Sequence, residues 1–154
     1  MAIQIGQQAP DFTLRDNEKN KVTLSDYRGR NVLLLFYPLA FTGTCTKELC
    51  YMRDNLARYN DMNALVFGIS VDSLFAQDKF KKEQNLNFPL LSDFLDRKVT
   101  QAYGIYLPKY GIANRVTFVI DKEGKIDFIE QGGDAIKIMG AGDACSRLAH
   151  KKAQ

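Results

Sequence analysis

The chain has 154 residues, 45% of them hydrophobic, with 21 Lys and Arg against 18 Asp and Glu, a formal net charge of +3. This length predicts one domain over residues 1–154, and apart from the tail His150 to Lys152 no basic cluster indicates a nucleic-acid surface. The N-terminus lacks the pattern of a secretory signal, and no apolar run reaches the ~18 residues of a membrane span, so we expect a cytoplasmic protein. Three cysteines in such a chain favour a reactive or buried thiol over a disulfide framework.

Alternating strand and helix signals follow one another along the first half of the chain. Residues 31–37, NVLLLFY, are a continuous apolar run that predicts a central strand buried on both faces. A segment with apolar residues at helical spacing follows this strand, and a second apolar run with a helix of its own comes next. This order predicts a βαβα unit with parallel strands. The predicted elements are a β-hairpin over 12–14 and 21–24, the strand at 31–37, a helix from near 45 to about 60, a strand over 64–71 and a helix over 74–84.

The second half predicts antiparallel strands that close the sheet. After a short helix at 99–103, the β-branched segment 116–120 and a turn lead into 126–129, which is typical of a hairpin. Two glycines delay the last helix, which is predicted to begin at the N-cap Asp143 and to run through Lys152. The fold class is therefore α/β, with a mixed central sheet flanked by helices and an N-terminal β-hairpin, in a thioredoxin-like arrangement.

Cys45 lies where the loop after the first buried strand enters a helix. Free N–H groups and the positive end of the helix dipole stabilise an anion there, and such surroundings lower a cysteine pKa from ~8.5 to roughly 3.5 to 7.5. The position suits a thiolate nucleophile. A buried cysteine that only fills space is the alternative, and the position alone slightly favours it, because this residue type often fills space and one cysteine at a helix start proves little.

Four short motifs follow one another along the chain: GxxAPDF at 6–12, PxxxTxxC at 38–45, FPLLSD at 88–93 and RxTF at 115–118. Together they resemble the peroxiredoxins, the AhpC/TSA family. Residues 36–43 and 111–115 resemble the AhpE type, whereas the spacing of Cys50 from Cys45 is also that of the bacterioferritin-comigratory (PrxQ) type. The resemblance implies a thioredoxin-like fold and a thiol-dependent peroxidase of antioxidant defence.

The resemblance also implies roles for five residues. Cys45 would attack hydrogen peroxide, an organic hydroperoxide or peroxynitrite and become a sulfenic acid. Thr42 and Arg115 would donate hydrogen bonds to the oxygens on which negative charge develops. Pro38 would shield the sulfur from water, and Glu48 would orient Arg115 or Thr42.

Each of these residues has a structural interpretation as well. Thr42 suits a loop or a helix cap, and Pro38 suits the end of a strand. Glu48 suits a solvated helix carboxylate, the interpretation that the residue alone favours, and Arg115 suits a surface charge before a strand.

Cys50 follows Cys45 by five residues on the same predicted helix. At about 100° and 1.5 Å per residue the two side chains diverge and the Cα atoms lie beyond ~7 Å, so a disulfide would require the first turn to unwind. The likeness to the PrxQ type implies that Cys50 resolves the sulfenic acid in this way, and the likeness to the AhpE type leaves it a packed residue. Cys145 is interpreted as structural and His150 as solvated.

The resemblance implies a reducing thiol, namely thioredoxin, glutaredoxin or a low-molecular-weight thiol, and a homodimer formed near Phe41. A thioredoxin-like disulfide oxidoreductase is the rival enzyme, although it requires C-x-x-C rather than the spacing of Cys45 and Cys50. A redox-sensing or metal-binding module is a further alternative, although Cys145 and His150 complete no zinc-site spacing. No GxGxxG motif follows a strand, so neither a flavin nor a nicotinamide cofactor is predicted.

Overall fold

A computed structural model describes residues 3–131 and 139–151. The strands are β1 (Thr13–Asp16), β2 (Lys21–Thr23), β3 (Asn31–Phe36), β4 (Ala64–Ser70), β5 (Leu90–Ser92), β6 (Tyr106–Leu107), β7 (Ile112–Ala113), β8 (Val116–Ile120) and β9 (Ile126–Gln131). The helices are α1 (Gly43–Asp61), α2 (Leu74–Gln84), α3 (Lys98–Ala102) and α4 (Met139–Lys151), with a 3-10 turn at Leu24–Tyr27. No helix among the described residues is long and apolar enough to cross a membrane.

Seven strands form one mixed sheet in the order β2-β1-β5-β4-β3-β8-β9. Strands β3, β4 and β5 are parallel, and the β1–β2 hairpin and the β8–β9 hairpin add antiparallel strands at the two ends. The predicted N-terminal hairpin, mixed sheet and thioredoxin-like arrangement are therefore confirmed.

Strand β3 is the centre of the core, and all six of its residues are buried. Leu33 and Leu35 enter a cluster with residues of α1, α2 and α4, whereas Leu34 and Phe36 enter a cluster on the opposite face. A strand covered on both faces has no polar side, which explains the unbroken apolar run in the sequence.

The last helix begins earlier than the sequence predicted, since the structure describes it from Met139 and it includes both glycines. The Glu130 side chain accepts hydrogen bonds from Gly140 N (2.9 Å) and Ala141 N (3.4 Å), which satisfies N–H groups in the first turn. A Cβ at Gly140 would overlap Glu130 and Phe128, so the glycine permits this close approach. The predicted helix end at Lys152 lies outside the described residues.

The carboxyl ends of the parallel strands meet at one edge of the sheet. The loop from β3 to α1 begins there, and Phe36 at the end of β3 is paired with Val116 at the start of the antiparallel β8. Arg115, immediately before β8, is therefore brought to the edge where α1 begins. This is the edge where the residues proposed for chemistry gather.

Candidate active site

Cys45 is the third residue of α1, and its side chain is buried, with 1% of the residue exposed. Thr42 occupies the N-cap position in extended conformation, and both the backbone N–H and the hydroxyl of Thr46 donate to its carbonyl oxygen, at 2.9 and 2.7 Å. The leading N–H groups of α1 have no intrahelical acceptor, and Cys45 lies within this first turn. The thiol therefore occupies the helix start that the sequence predicted.

Arg115 bridges Cys45 and Glu48. Its Nη2 lies 3.3 Å from Cys45 Sγ, and its Nη1 lies 2.6 Å from Glu48 Oε1. Burial opposes the charge of the guanidinium, but the hydrogen bonds and charges of Cys45 and Glu48 outweigh it and raise the pKa of Arg115. The interpretation of Arg115 as a surface charge is wrong, because only 13% of the side chain is exposed.

Glu48 is completely buried, which contradicts its interpretation as a solvated helix carboxylate. Burial raises the pKa of Glu48 to about 7 despite the opposing effect of Arg115, and the charge of Glu130 raises it further. Oε1 is paired with Arg115, whereas Oε2 has no hydrogen-bond partner among the described residues. This carboxyl therefore changes its charge near neutral pH, one guanidinium away from the thiol.

Thr42 and Pro38 lie in the loop that leads into α1. The Thr42 hydroxyl is exposed and donates to the carbonyl oxygen of Leu39 at 2.9 Å, and it does not cap the helix. Pro38 is half-buried just beyond β3. Thr42 would therefore have to release Leu39 before donating to a bound peroxide.

The three cysteines are all free and lie in different surroundings. Cys50 is half-buried, and its Sγ lies 3.5 Å from Gln84 Oε1 on α2. Cys145 is buried in α4, where burial raises its pKa to about 12. It acts electrostatically on Tyr59, which follows Cys45 by 14 residues on α1 and thus lies about 21 Å along the helix.

This separation contradicts the alternative of a redox-sensing or metal-binding module built from all three cysteines. Cys45 contacts Arg115 at the start of α1, whereas Cys145 lies near the end of the same helix. The side chain of His150 lies outside the described residues.

Two acidic residues near the site were not identified from the sequence. Asp72 accepts a hydrogen bond from Ala40 N in the loop before α1, and Glu130 lies close enough to Glu48 to influence its pKa. Asp72 could have been identified from the sequence, because the apolar run ends at Val71 and a carboxylate follows it at the carboxyl end of a buried strand. Glu130 had none, because its position depends on the packing of α4.

These contacts bring together a buried thiol, a guanidinium and a carboxyl group. The guanidinium donates to the sulfur, and the N-terminal end of α1, where Cys45 lies, favours negative charge. The same donors can stabilise negative charge on an oxygen bound next to the sulfur. The arrangement suits nucleophilic attack by sulfur on a small polar molecule.

Comparisons with known proteins agree with this chemistry. The AhpC/TSA family profile matches residues 5–129. Alkyl hydroperoxide reductase E of Mycobacterium tuberculosis (strain H37Rv) is 46% identical over 130 residues, covering 83% of this chain and 85% of the relative. Peroxiredoxin Bcp of Bacillus subtilis (strain 168) is 39% identical over 132 residues, covering 82% and 83%. The crystal structure of peroxidoxin BcpB from Mycobacterium tuberculosis superposes with a TM-score of 0.86 at 31% identity, covering 97% of this chain and 98% of that one.

Proposed function

Because the chain belongs to the AhpC/TSA family and is a peroxiredoxin, a thiol-dependent peroxidase, we propose that Cys45 is the residue that attacks the hydroperoxide. The observation that carries this assignment is the 3.3 Å contact between Cys45 Sγ and Arg115 Nη2 in the first turn of α1. Among the described residues neither of the other two cysteines is hydrogen-bonded to an arginine side chain, and Cys50 acts on Arg53 through charge alone.

The proposed reaction is a displacement at oxygen. The Cys45 thiolate attacks one oxygen of ROOH, an S–O bond forms, the O–O bond breaks, and RO⁻ leaves with the electron pair. The proton that the thiol gave up, carried by solvent or a nearby group, ends on RO⁻, so a thiol and ROOH give a sulfenic acid and ROH.

Arg115 is proposed to stabilise the charge that moves onto both oxygens. Its planar guanidinium can keep one N–H on the sulfur while other N–H groups reach the peroxide. Glu48 supports this role by holding Nη1, which fixes the plane of the guanidinium. Arg115 thus contacts two described side chains, Cys45, which is proposed to react, and Glu48, which positions the guanidinium.

Thr42 and Pro38 complete the proposed site. The Thr42 hydroxyl would rotate from Leu39 O to the peroxide, a small change because this hydrogen bond is exposed to solvent. Pro38 has no N–H and a rigid ring, so it can limit the access of water to the sulfur without competing as a donor.

We propose that Cys50 resolves the sulfenic acid by forming a disulfide with Cys45. The residues between them must leave the helix, which removes buried Leu49 from the core at about 1.5 to 3 kcal/mol and separates Glu48 from Arg115. Oxidation weakens the contact between Cys45 and Arg115, which holds the first turn in place, because a neutral sulfenic acid attracts Arg115 less than a thiolate does.

The test for Cys50 is the state of the protein after peroxide. We expect wild type to lose the mass of two hydrogens and to yield a disulfide-linked peptide containing Cys45 and Cys50. Cys50→Ser should instead overoxidise at lower peroxide. If wild type retains a stable sulfenic acid and gives no such peptide, the enzyme uses one cysteine and an external thiol attacks it directly.

The reductant is a thiol, and thioredoxin, glutaredoxin or a low-molecular-weight thiol are the proposed donors. We propose the cytoplasm as the place of action, since a reducing compartment keeps the proposed thiol donors in the reduced form that Cys45 requires. A homodimer is proposed through Phe41, which is 51% exposed beside the site. Sedimentation of Phe41→Ala should show a weakened dimer, and an unchanged dimer would remove Phe41 from the interface.

The experiment for the function compares two cysteine variants. Cys45→Ser should abolish the consumption of hydrogen peroxide or an alkyl hydroperoxide in the presence of dithiothreitol, with an unchanged circular dichroism spectrum. Cys145→Ser is the matched control and should keep the wild-type rate, because it lies near the far end of α1. If Cys45→Ser keeps most of the rate, the assignment is wrong.

A further inference from the structure

The backbone N–H of Tyr37, at the start of the loop from β3 to α1, donates to Ile69 O on β4. Residues 38–42 of this loop make one further hydrogen bond to a segment other than α1 within the described part of the chain. It runs from Ala40 N to Asp72 Oδ2 at 2.8 Å, and Asp72 lies just beyond β4. We propose that Asp72 is a positioning residue, which holds this loop and thereby the first turn of α1 in the geometry that Cys45 and Arg115 require. The inference rests on the proposed role of Cys45.

The conformation of the loop gives this hydrogen bond its importance. Phe41, the residue after Ala40, has a φ of 67°, in the left-handed region, which is unfavourable for a residue other than glycine. Such a conformation persists only when its surroundings impose it. The bond to Asp72 fixes the peptide between Leu39 and Ala40, one residue before the strained Phe41, and packing of the Phe41 ring on Phe80 fixes the side chain of the strained residue itself.

The Asp72 carboxylate is itself held in place. Its Oδ2 also accepts from Ser70 Oγ at 2.7 Å, and Gln77 Nε2 donates to that Ser70 oxygen at 3.0 Å. The Asp72 carbonyl oxygen accepts from Ser92 Oγ at 2.5 Å. The acceptor for the loop is thus fixed by β4, α2 and β5, the rigid elements of the sheet edge.

The charge of Asp72 should work against the thiolate. The buried Tyr37 has a pKa raised by burial and, among further causes, by the charges of Asp72 and Cys45, so both groups lie near the same phenol. A negative charge near a sulfur disfavours its anion. A carboxylate at this position helps Cys45 only through the hydrogen bond to Ala40. When Asp72 is replaced, loss of the charge should therefore favour the thiolate, whereas loss of the hydrogen bond should disfavour it.

Three variants separate these effects. Asp72→Ala removes the acceptor, and Asp72→Asn removes the charge but keeps an oxygen that can accept from Ala40 N. Asp78→Ala is the matched control, since this half-buried carboxylate on α2 accepts from Asn17 and Lys82 and does not touch the loop. The readouts are the rate constant with hydrogen peroxide and the pH midpoint of Cys45 alkylation by iodoacetamide, followed on the Cys45 peptide by mass spectrometry.

We expect Asp72→Ala to lower the rate constant about 10-fold or more, within the ~10²-fold that a misplacement of 1 Å can cost. Its alkylation midpoint should move to higher pH, although a negative charge has been removed. Asp72→Asn should keep nearly the wild-type rate constant, and its alkylation midpoint should lie at or below the wild-type pH, because the charge is gone and the hydrogen bond remains. Asp78→Ala should match wild type in both readouts. If Asp72→Ala matches wild type, or if both Asp72 variants move the midpoint to lower pH, the inference is overturned.

If Asp72→Ala does not fold, hydrogen exchange decides. The Ala40 amide should exchange slowly in wild type and in Asp72→Asn, and fast exchange in the folded wild type would contradict the proposal. Failure of this inference is distinguishable from failure of the proposed function. An enzyme that needs Cys45 but ignores Asp72 refutes only the former, whereas an active Cys45→Ser refutes the latter.

Discussion

Replacing Glu48 with Gln should change how stability depends on pH. Glutamine resembles the neutral carboxyl in shape, so the variant serves as a reference that does not titrate at this position. In the folded protein the pKa of Glu48 is raised to about 7 from an ordinary value of 4.5. Since one pKa unit corresponds to about 1.4 kcal/mol, the shift corresponds to about 3 kcal/mol.

The sign follows from the direction of the shift. The folded state binds the Glu48 proton more tightly than the unfolded state, so the stability that this carboxyl contributes is fully present below about pH 4.5. It is lost as the pH rises to about 7, where burial of the charged form opposes folding. The free energy of unfolding of wild type, minus that of Glu48→Gln, should therefore fall by about 3 kcal/mol as the pH rises from 4.5 to about 8, through the folded pKa of about 7.

Urea denaturation followed by circular dichroism, at intervals between pH 4.5 and 8, measures this difference. Titrating groups that do not interact with Glu48 contribute equally to both proteins and cancel. Glu83→Gln is the control, because Glu83 is exposed in a surface ion pair with Lys79 and should give a nearly constant difference. A difference between wild type and Glu48→Gln that is constant or rises over this range would refute the reasoning.

Three further predictions concern the residues around the thiol. Arg115→Ala should slow the reaction with peroxide about 10²-fold or more. Arg115→Lys should restore the rate only in part, because one ammonium cannot hold the sulfur and Glu48 in a fixed plane. Equal rates for wild type and Arg115→Ala in competition kinetics would contradict this role. Thr42→Val should slow the same reaction. It should change the free energy of unfolding by at most about 1.5 kcal/mol, because the hydrogen bond from the hydroxyl to Leu39 O is exposed. A large loss of stability at an unchanged rate would show a purely structural role. Cys145→Ser should lower the urea midpoint at an unchanged peroxidase rate, since it buries a hydroxyl in the core, and a loss of rate in the folded variant would oppose our assignment.

Sequence periodicity predicted the elements that pack across the central sheet. These elements could be predicted because the pattern of buried residues is visible within each segment, as apolar runs in β3 and β4 and as helical spacing in α1. It did not predict β5, which has three residues directly after Pro89, or the two-residue strands β6 and β7. Strands this short have too few residues for alternation to appear.

The start of α4 was predicted wrongly for a different reason. Its glycines lower local helix propensity, but the Glu130 carboxylate caps the first turn from a neighbouring strand. A contact between segments ten residues apart on different elements leaves no local signal.

The candidate site was predicted in the same uneven way. The position of Cys45 at a helix start follows from local sequence, and the roles of Arg115 and Glu48 came only from resemblance. Their contact joins residues 67 positions apart, so the burial of Glu48 depends on how β8 is placed against β3. Spacing along one helix could not distinguish this carboxyl from a solvated one.

The most direct measurement of the central claim is the mass of Cys50→Ser after one equivalent of hydrogen peroxide in the presence of dimedone. Without Cys50 the proposed sulfenic acid has no internal partner and should be trapped. The account predicts one dimedone adduct, on the peptide that contains Cys45. An adduct on Cys145, or consumption of peroxide with no adduct on either cysteine, would contradict it.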